Sequence, residues 1–119
     1  MALTKVTSGV LGDEYTSSSS LISATAITVD TSSADVFTLT AGHSATLNFT
    51  NVVVGDLKTL VITGGGSSYT ITLGTVNGAS ATYNLISGSY DDTSSTKNFI
   101  QIKFISTTEA WYTISQISS

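Results

Sequence analysis

The sequence contains no cysteine, no proline and no arginine. Without cysteine the chain can form neither a disulfide nor a thiolate metal site. A proline within a strand would confine that strand to a sheet edge, and no strand of this chain carries that restriction. The only basic residues are four lysines that stand one at a time, and with eight acidic residues they leave a net charge of −4. Such a distribution provides no basic patch, so we expect no nucleic-acid partner and no electrostatic contact with a membrane.

Charged residues and long apolar runs are also scarce. Charged side chains make up only 10% of the 119 residues, whereas hydrophobic residues make up 40%, enough for one core. No stretch is long and apolar enough for a transmembrane helix, and the opening residues show no secretory signal pattern. Ser and Thr fill roughly a third of the chain. Because Thr favours strands and hydroxyl side chains suit exposed strand faces, the composition predicts β-structure.

Apolar and polar residues alternate with a period of two from Ala24 onward, as in half-buried strands. Gly, Asn, Asp and Ser lie between these segments, where turns are expected. The pattern predicts about eight short strands, centred on residues 24–30, 36–39, 45–50, 59–62, 69–73, 83–86, 100–104 and 111–117. We therefore predict an all-β protein with a single jelly-roll-like β-sandwich over residues 23–119.

Residues 1–22 differ from the rest in composition, with scattered apolar residues and the serine run Ser17–Ser20. One interpretation is a terminus without fixed structure. The other is an N-terminal arm that becomes ordered against a partner. We predict a docking arm over residues 1–22. Its candidate contact residues are Leu3, Val6, Val10 and Leu11.

The segment VITGGGSSYTIT, residues 61–72, raises the question of phosphate binding. A phosphate-cradling loop needs converging N–H groups and a following helix, usually with a Lys after the last glycine. Here no Lys follows Gly66, and YTITL is typical of a strand. The sequence therefore predicts a hairpin loop in which glycine supplies positive φ angles.

Candidate catalytic and metal-binding residues are few. His43 is the only histidine, and its neighbour Ser44 should point to the opposite face of a strand. Asp91 and Asp92 could offer oxygen ligands to Ca²⁺, but the spacing does not match an EF-hand, and an exposed loop is the alternative. The glycosylation sequon at Asn48 lies inside a predicted strand and is interpreted as chance. We predict a protein that is not an enzyme and has no cofactor and no metal site.

Trp111, Tyr112 and Tyr83 are the aromatic residues most relevant to binding. Their rings could stack on sugars, pack in the core or pack across a subunit interface. Because Trp111 and Tyr112 are adjacent on one predicted strand, they should face opposite ways. One ring should be buried in the sandwich. The other should lie on the outer face, either exposed or covered by a partner.

The span from Gly55 to Ile117 resembles a β-domain that recurs in bacteriophage fibre and virion structural proteins. The matching pieces are LVITGGGSSYTITLG, followed by NFIQIKFISTTEAWYTISQI with Trp-Tyr in the last strand. The opening MALTKVTSGVL is similar to the N-terminus of many phage tail-fibre and head-fibre proteins. Together the two matches cover more than half of the chain.

This resemblance implies a viral structural protein of the virion, which assembles in the host cytoplasm. It implies a homotrimer whose N-terminal arm docks onto the major capsid protein or another virion protein. We expect capsid decoration or a short head fibre, because the chain has no room for a shaft. The alternative is a tail-fibre tip or adaptor that binds a host surface glycan.

Overall fold

The structure, a computed structural model, describes residues 18–117, which form nine β-strands and no helix. Short loops of mostly Gly, Ser, Asn and Asp join the strands. The strands are β1 (Ser18–Ser20), β2 (Ala26–Asp30), β3 (Val36–Thr40), β4 (Ala45–Thr50), β5 (Leu57–Thr63), β6 (Ile71–Val76), β7 (Thr82–Ser87), β8 (Lys97–Phe104) and β9 (Glu109–Ile117).

The strands form two sheets. The large sheet has six strands in the order β1-β3-β5-β8-β9-β7, and the small sheet has three in the order β2-β4-β6. Along β4 the apolar residues Ala45, Leu47 and Phe49 are buried, whereas Thr46 and Asn48 between them are half-buried. This alternation presents one apolar face of each sheet to the other, and the arrangement is sandwich-like.

The first six strands alternate between the sheets, so that odd-numbered strands stack in the large sheet and even-numbered strands in the small one. All four ladders among them are parallel. Ser18 pairs with Val36 and Phe49 with Val76, so partners in successive coils are 18 to 27 residues apart. This part of the chain is wound as a two-sheet solenoid, in which each coil contacts its neighbours.

The last three strands end this winding. Strand β8 runs antiparallel to β5 and β9, and β7 returns to the far edge of the large sheet, parallel to β9. In the part of the chain that the structure describes, the small sheet receives no further strand after β6. The large sheet is therefore wider than the small sheet that faces it.

The core lies between the sheets and is almost entirely apolar. Phe49 packs edge-on against Phe104, with ring centroids 5.4 Å apart. The largest fully buried side chains are Phe37, Phe49, Phe104, Leu47, Leu60, Ile62, Ile102, Val29, Val76 and Asn98. Each apolar side chain of this size contributes about 1.5–3 kcal/mol through its removal from water. The amide of Asn98 is the polar exception and is fully hydrogen-bonded.

All eight predicted strands are present, and the all-β class is confirmed. The jelly-roll topology is not confirmed, because a jelly roll pairs its strands antiparallel and the ladders among β1–β6 are parallel. Sequence analysis missed β1, since a serine run carries no apolar alternation.

The candidate docking residues Leu3, Val6, Val10 and Leu11 lie outside the described residues. Ser18–Ser20, which the prediction assigns to the arm, pair with β3 in the large sheet. None of the elements within residues 18–117 is a helix that could span a membrane.

Candidate functional site

The glycine run forms the loop that carries the chain from β5 in the large sheet to β6 in the small sheet. The predicted hairpin is therefore wrong, because β5 and β6 do not pair. At this loop the chain crosses from one sheet to the other, whereas in a hairpin it would turn back to pair with the strand it has just left. The loop instead packs against the segment between β7 and β8, where Asp91 and Asp92 lie.

The N–H groups of the glycine loop converge on an anion that belongs to the chain itself. The Asp92 carboxylate accepts hydrogen bonds from the backbone N–H of Gly65 at 3.0 Å, of Ser67 at 3.2 Å and of Tyr69 at 2.9 Å. The Tyr90 hydroxyl donates a fourth, at 2.6 Å. Convergent backbone N–H groups form the kind of concavity that binds phosphate in other loops. Here the internal carboxylate fills it.

Close approach of neighbouring backbone segments requires glycine at two positions of this loop. A Cβ at Gly64 would clash with the carbonyl oxygen of Thr93, and one at Gly65 would clash with the carbonyl oxygen of Ala41. The Gly65 Cβ would also lie 2.7 Å from the Tyr69 ring. Backbone oxygens cannot move aside as a flexible side chain can, so even alanine does not fit.

These contacts decide how Asp92 is charged and what it can bind. Burial alone would raise the pKa of Asp92, but the hydrogen bonds from Tyr90, Gly65, Tyr69 and Ser67 together hold it below the usual 3.8. The four donors occupy the lone-pair positions of both carboxylate oxygens. Asp92 is therefore part of the loop framework and has no lone pair left for a cation.

Asp91, the second candidate cation ligand, is exposed. The Thr93 side chain and backbone N–H lower the pKa of the Asp91 carboxyl, more than burial and the neighbouring Asp92 charge raise it. Within the part of the chain that the structure describes, no three His, Asp or Glu side chains come together in a way that could hold a metal ion.

Asn98 fixes this segment to the core. Its side-chain amide donates to the carbonyl oxygens of Ile62 and Asp91, and its oxygen accepts from the Asp91 backbone N–H and the Gln116 side chain. Because the Asn98 amide is fully buried and makes all its hydrogen bonds, a displacement of the segment that contains Asp91 would leave buried polar atoms without partners. The amide therefore fixes the position of that segment. The glycine loop, Asp92 and strand β8 thus form one connected unit.

A groove runs alongside this unit and has a polar and an apolar part. The polar part is an open depression of about 870 Å³ between the glycine loop and residues 89–94. The apolar part is a narrower cleft of about 410 Å³. Ile71, Ser89 and Tyr90 line both parts. The remaining cleft lining comprises Thr72, Leu73, Tyr83, Leu85, Ile100, Tyr112 and Ile114.

Tyrosines are concentrated along the groove. Tyr69 and Tyr90 line its polar part, and Tyr83 and Tyr112 line the cleft. The rings of Tyr83 and Tyr112 pack edge-on with centroids 6.4 Å apart. The Tyr83 hydroxyl donates to the carbonyl oxygen of Gly74 at 2.9 Å, and burial raises the pKa of Tyr83 to about 12. The ring therefore stays neutral and spans from β7 to the edge of β6.

The candidate aromatic residues lie on two different surfaces. Tyr83 and Tyr112 point toward the cleft, whereas Trp111 lies on the outer face of the large sheet with 46% of its surface exposed. Trp111 and Tyr112 therefore face opposite ways, as expected from their adjacency in β9. No single platform contains all three rings.

The outer face of the large sheet is the second candidate surface. Trp111 is held there by a hydrogen bond from its indole N–H to Glu109, and Asn84 donates to the same carboxylate oxygen. Lys103 separates Trp111 from Leu57 in one cross-strand row, and Phe99 pairs with Val61 in another. The large apolar side chains that remain at least 40% exposed on this face include Leu57, Phe99, Trp111 and Ile117.

His43 lies in the loop between β3 and β4 and lines neither part of the groove. Its Nδ1 is 2.9 Å from the Ser23 hydroxyl, while Ser44 accepts a hydrogen bond from the Thr70 backbone N–H. Within residues 18–117 no carboxylate is hydrogen-bonded to His43. The Ser23–His43 pair therefore lacks the third group that orients a catalytic histidine.

Sequence reasoning missed the partnership between Asp92 and the glycine loop. The sequence did contain both halves of the signal. The segment GGGSS, residues 64–68, indicates a loop whose backbone N–H groups are free to bind an anion, and the adjacent acids Asp91 and Asp92 offer a carboxylate. Gly65 and Asp92 are 27 positions apart in the sequence, and nothing local indicates that their two segments meet. No family model, no curated protein and no solved structure matches this chain.

Proposed function

We propose that this chain is a non-enzymatic structural protein of a bacteriophage virion, a homotrimer that decorates the capsid or forms a short head fibre. The resemblance of residues 55–117 to phage fibre domains suggests the class of particle. The exposed apolar outer face of the large sheet is the observation that carries the self-association. The arm over residues 1–22 would dock onto the capsid protein or another virion protein.

The outer face has the size that a subunit interface needs. Six strands spaced about 4.8 Å apart make a face roughly 25–30 Å wide. A standard interface buries about 800 Å² on each partner, which corresponds to a patch roughly 28 Å on a side and so to the width of this face. Leu57, Phe99, Trp111 and Ile117 project from it among Thr and Ser side chains, with only Lys97, Lys103 and Glu109 charged. An aromatic and apolar surface with few charges is the composition of an interface centre.

Light scattering coupled to size-exclusion chromatography tests the self-association. We expect a mass near three times the 12.3 kDa of one chain. Trp111→Lys and Phe99→Lys each place a charge in the buried interface, so both variants should elute as monomers. A wild-type protein with the mass of one chain at every concentration would contradict the proposal.

Val53→Lys is the matched control for these variants. Val53 is 64% exposed, more than Trp111 or Phe99, but it lies in the loop before β5 and not on the outer face. The control should keep the wild-type mass. Far-UV circular dichroism establishes that each variant is folded before its mass is interpreted.

The alternative, a tail-fibre tip or adaptor that binds a host surface glycan, has a different observation in its favour. Tyr83 and Tyr112 present aromatic rings in a groove, and such rings can stack on sugars. Trp111 does not join them, because it lies on the other face of the sheet. Binding to a glycan array, lost on substitution of Tyr112, would favour this alternative.

A further inference from the structure

The small sheet ends at an unpaired strand edge. Among the strands within residues 18–117, β6 has β4 on one side and none on the other. Its free edge borders the cleft, across which lie side chains of β7, β8 and β9. The large sheet extends past this edge, so its inner face is left without a covering strand there.

The backbone of β6 presents hydrogen-bonding groups to the cleft. The carbonyl oxygen of Thr70 faces β4, since it accepts from the N–H of Ala45 at 2.9 Å. Successive strand residues direct these groups to alternate edges, so Ile71 and Leu73 direct theirs away from β4. An exposed edge of this kind is a template for another strand.

The floor of the cleft becomes more exposed with distance from the core. Ile100 on β8 is 2% exposed and Ile114 on β9 is 9% exposed, whereas Leu85 on β7 is 48% exposed. All three line the cleft. The Tyr83–Gly74 hydrogen bond closes one end of the free edge, so an occupant enters from the polar part of the groove.

Charge sets the chemistry of that entrance. Its lining includes the two carboxylates of Asp91 and Asp92, and no Lys is among the described residues that line it. The Asp92 carboxylate is occupied by hydrogen bonds within the protein, whereas the Asp91 carboxylate is exposed and accessible to a ligand. A positively charged group at the entrance would therefore complement the groove.

We propose that the cleft binds an extended peptide segment of a partner protein, which adds to β6 as a fourth strand of the small sheet. Its backbone pairs with Ile71 and Leu73, and its alternate side chains are apolar and cover Leu85 and Tyr112. A Lys or Arg at one end lies near Asp91. About five residues fill the groove, at about 3.3 Å per residue. This inference does not depend on the oligomeric state.

Synthetic peptides provide the test, with ¹⁵N-labelled full chain observed by NMR. The probes are acetyl-VTVTVKK-amide and acetyl-KKVTVTV-amide, one for each strand direction. We expect one of them to shift the amide signals of Ile71 and Leu73 and to slow their hydrogen exchange. Replacing both lysines by glutamates should weaken binding at least about tenfold, and N-methylation of alternate amides should abolish it.

Two substitutions separate the parts of the proposal. Asp91→Asn keeps the oxygen that accepts from Thr93 and removes the charge, so the preference for Lys over Glu should fall to about twofold or less. Leu85→Lys on the cleft floor should prevent binding, and Leu57→Lys on the outer face is its control.

Three results would overturn the proposal. One is the absence of any shift at Ile71 and Leu73 with millimolar peptide. Another is equal binding of the Lys and Glu peptides to the wild-type protein. The third is binding of an oligosaccharide, and of no peptide, at the groove, which would make it a saccharide site. None of these results bears on the mass measured by light scattering, so the failures of the two proposals are distinguishable.

Discussion

Two polar side chains, Asp92 and Asn98, join segments of this protein that are distant in sequence. Asp92 holds the glycine loop through three backbone N–H groups, and Asn98 holds the segment that contains Asp92. Short polar side chains achieve this because each makes several hydrogen bonds at once. The groove entrance therefore depends on two residues that never need to touch a ligand.

Replacing Asp92 by Asn should destabilise the protein at pH 7. The new amide group would present N–H donors to the N–H groups of Ser67 and Tyr69, or of Gly65, which would then lack an acceptor. We expect a loss of about 1–3 kcal/mol in the free energy of unfolding, measured by urea denaturation. Asp91→Asn is the control, and its effect should be far smaller because Asp91 is exposed.

The contribution of Asp92 should also depend on pH. Its pKa is lower in the folded protein than the usual 3.8, so the carboxylate stabilises the fold above that value. This stability should be lost as the pH falls below 3.8 through the folded pKa. The difference between wild type and Asp92→Asn should therefore shrink on acidification. A difference that stays constant from pH 7 to pH 2 would contradict this account.

At the scale of the strands and loops, alternation predicted the elements well. Residues such as Leu47 and Phe49 recur every second position because only one face of β4 meets the core. The alternation of apolar and polar residues identifies which face of a strand is buried, but it does not identify the strand that pairs with it. The parallel pairing of β4 with β6, and the change of sheet at the glycine loop, depend on contacts between distant residues and were not predictable.

Gly65→Ala tests the packing of this loop. The added methyl group would clash with the Ala41 carbonyl oxygen and crowd the Tyr69 ring. Overpacking of this kind costs about 1–3 kcal/mol, which thermal unfolding would detect as a lower Tm. If Gly65→Ala had the same Tm as the wild type, the prediction would be wrong, because the loop would then be able to move away from Ala41.

Gly42→Ala is the matched control for that substitution. Gly42 lies in the neighbouring loop, and the nearest atom to a Cβ there is the Ser23 hydroxyl oxygen at 3.3 Å. A hydroxyl group can rotate, whereas the backbone carbonyl of Ala41 can move only if the chain around it moves. The Tm of Gly42→Ala should therefore stay closer to that of the wild type.

At the scale of the whole molecule, sequence analysis predicted the layers but not how the chain winds through them. The two-sheet arrangement follows from strands with one apolar face each. The candidate site was predicted only in part. Tyr83 and Tyr112 line the groove, but Asp92 acts within the framework. The free edge of β6 could not be foreseen, because it results from the numbers of strands in the two sheets.

Removal of residues 1–17 tests the proposed docking arm. The truncation leaves β1 and all its partners in place, so we expect the shortened protein to keep the circular dichroism and oligomeric mass of the full chain. If the proposed virion role is right, it should fail to bind purified phage particles that the full chain binds. If the protein decorates the capsid, quantitative mass spectrometry should find hundreds of copies of the full chain on each particle. A few to a few dozen copies would indicate a fibre or tail location.

Within residues 18–117, only the ladder of the β8–β9 hairpin joins strands that follow one another along the chain. Every other ladder closes a loop that contains at least one strand of the opposite sheet or of another part of the same sheet. Loop closure costs entropy before any contact rewards it, and proteins dominated by distant pairings fold in milliseconds to seconds. The winding that gives this protein two broad surfaces therefore also makes it a slow folder, and until the last coil closes it exposes more unpaired strand edges than the folded protein does.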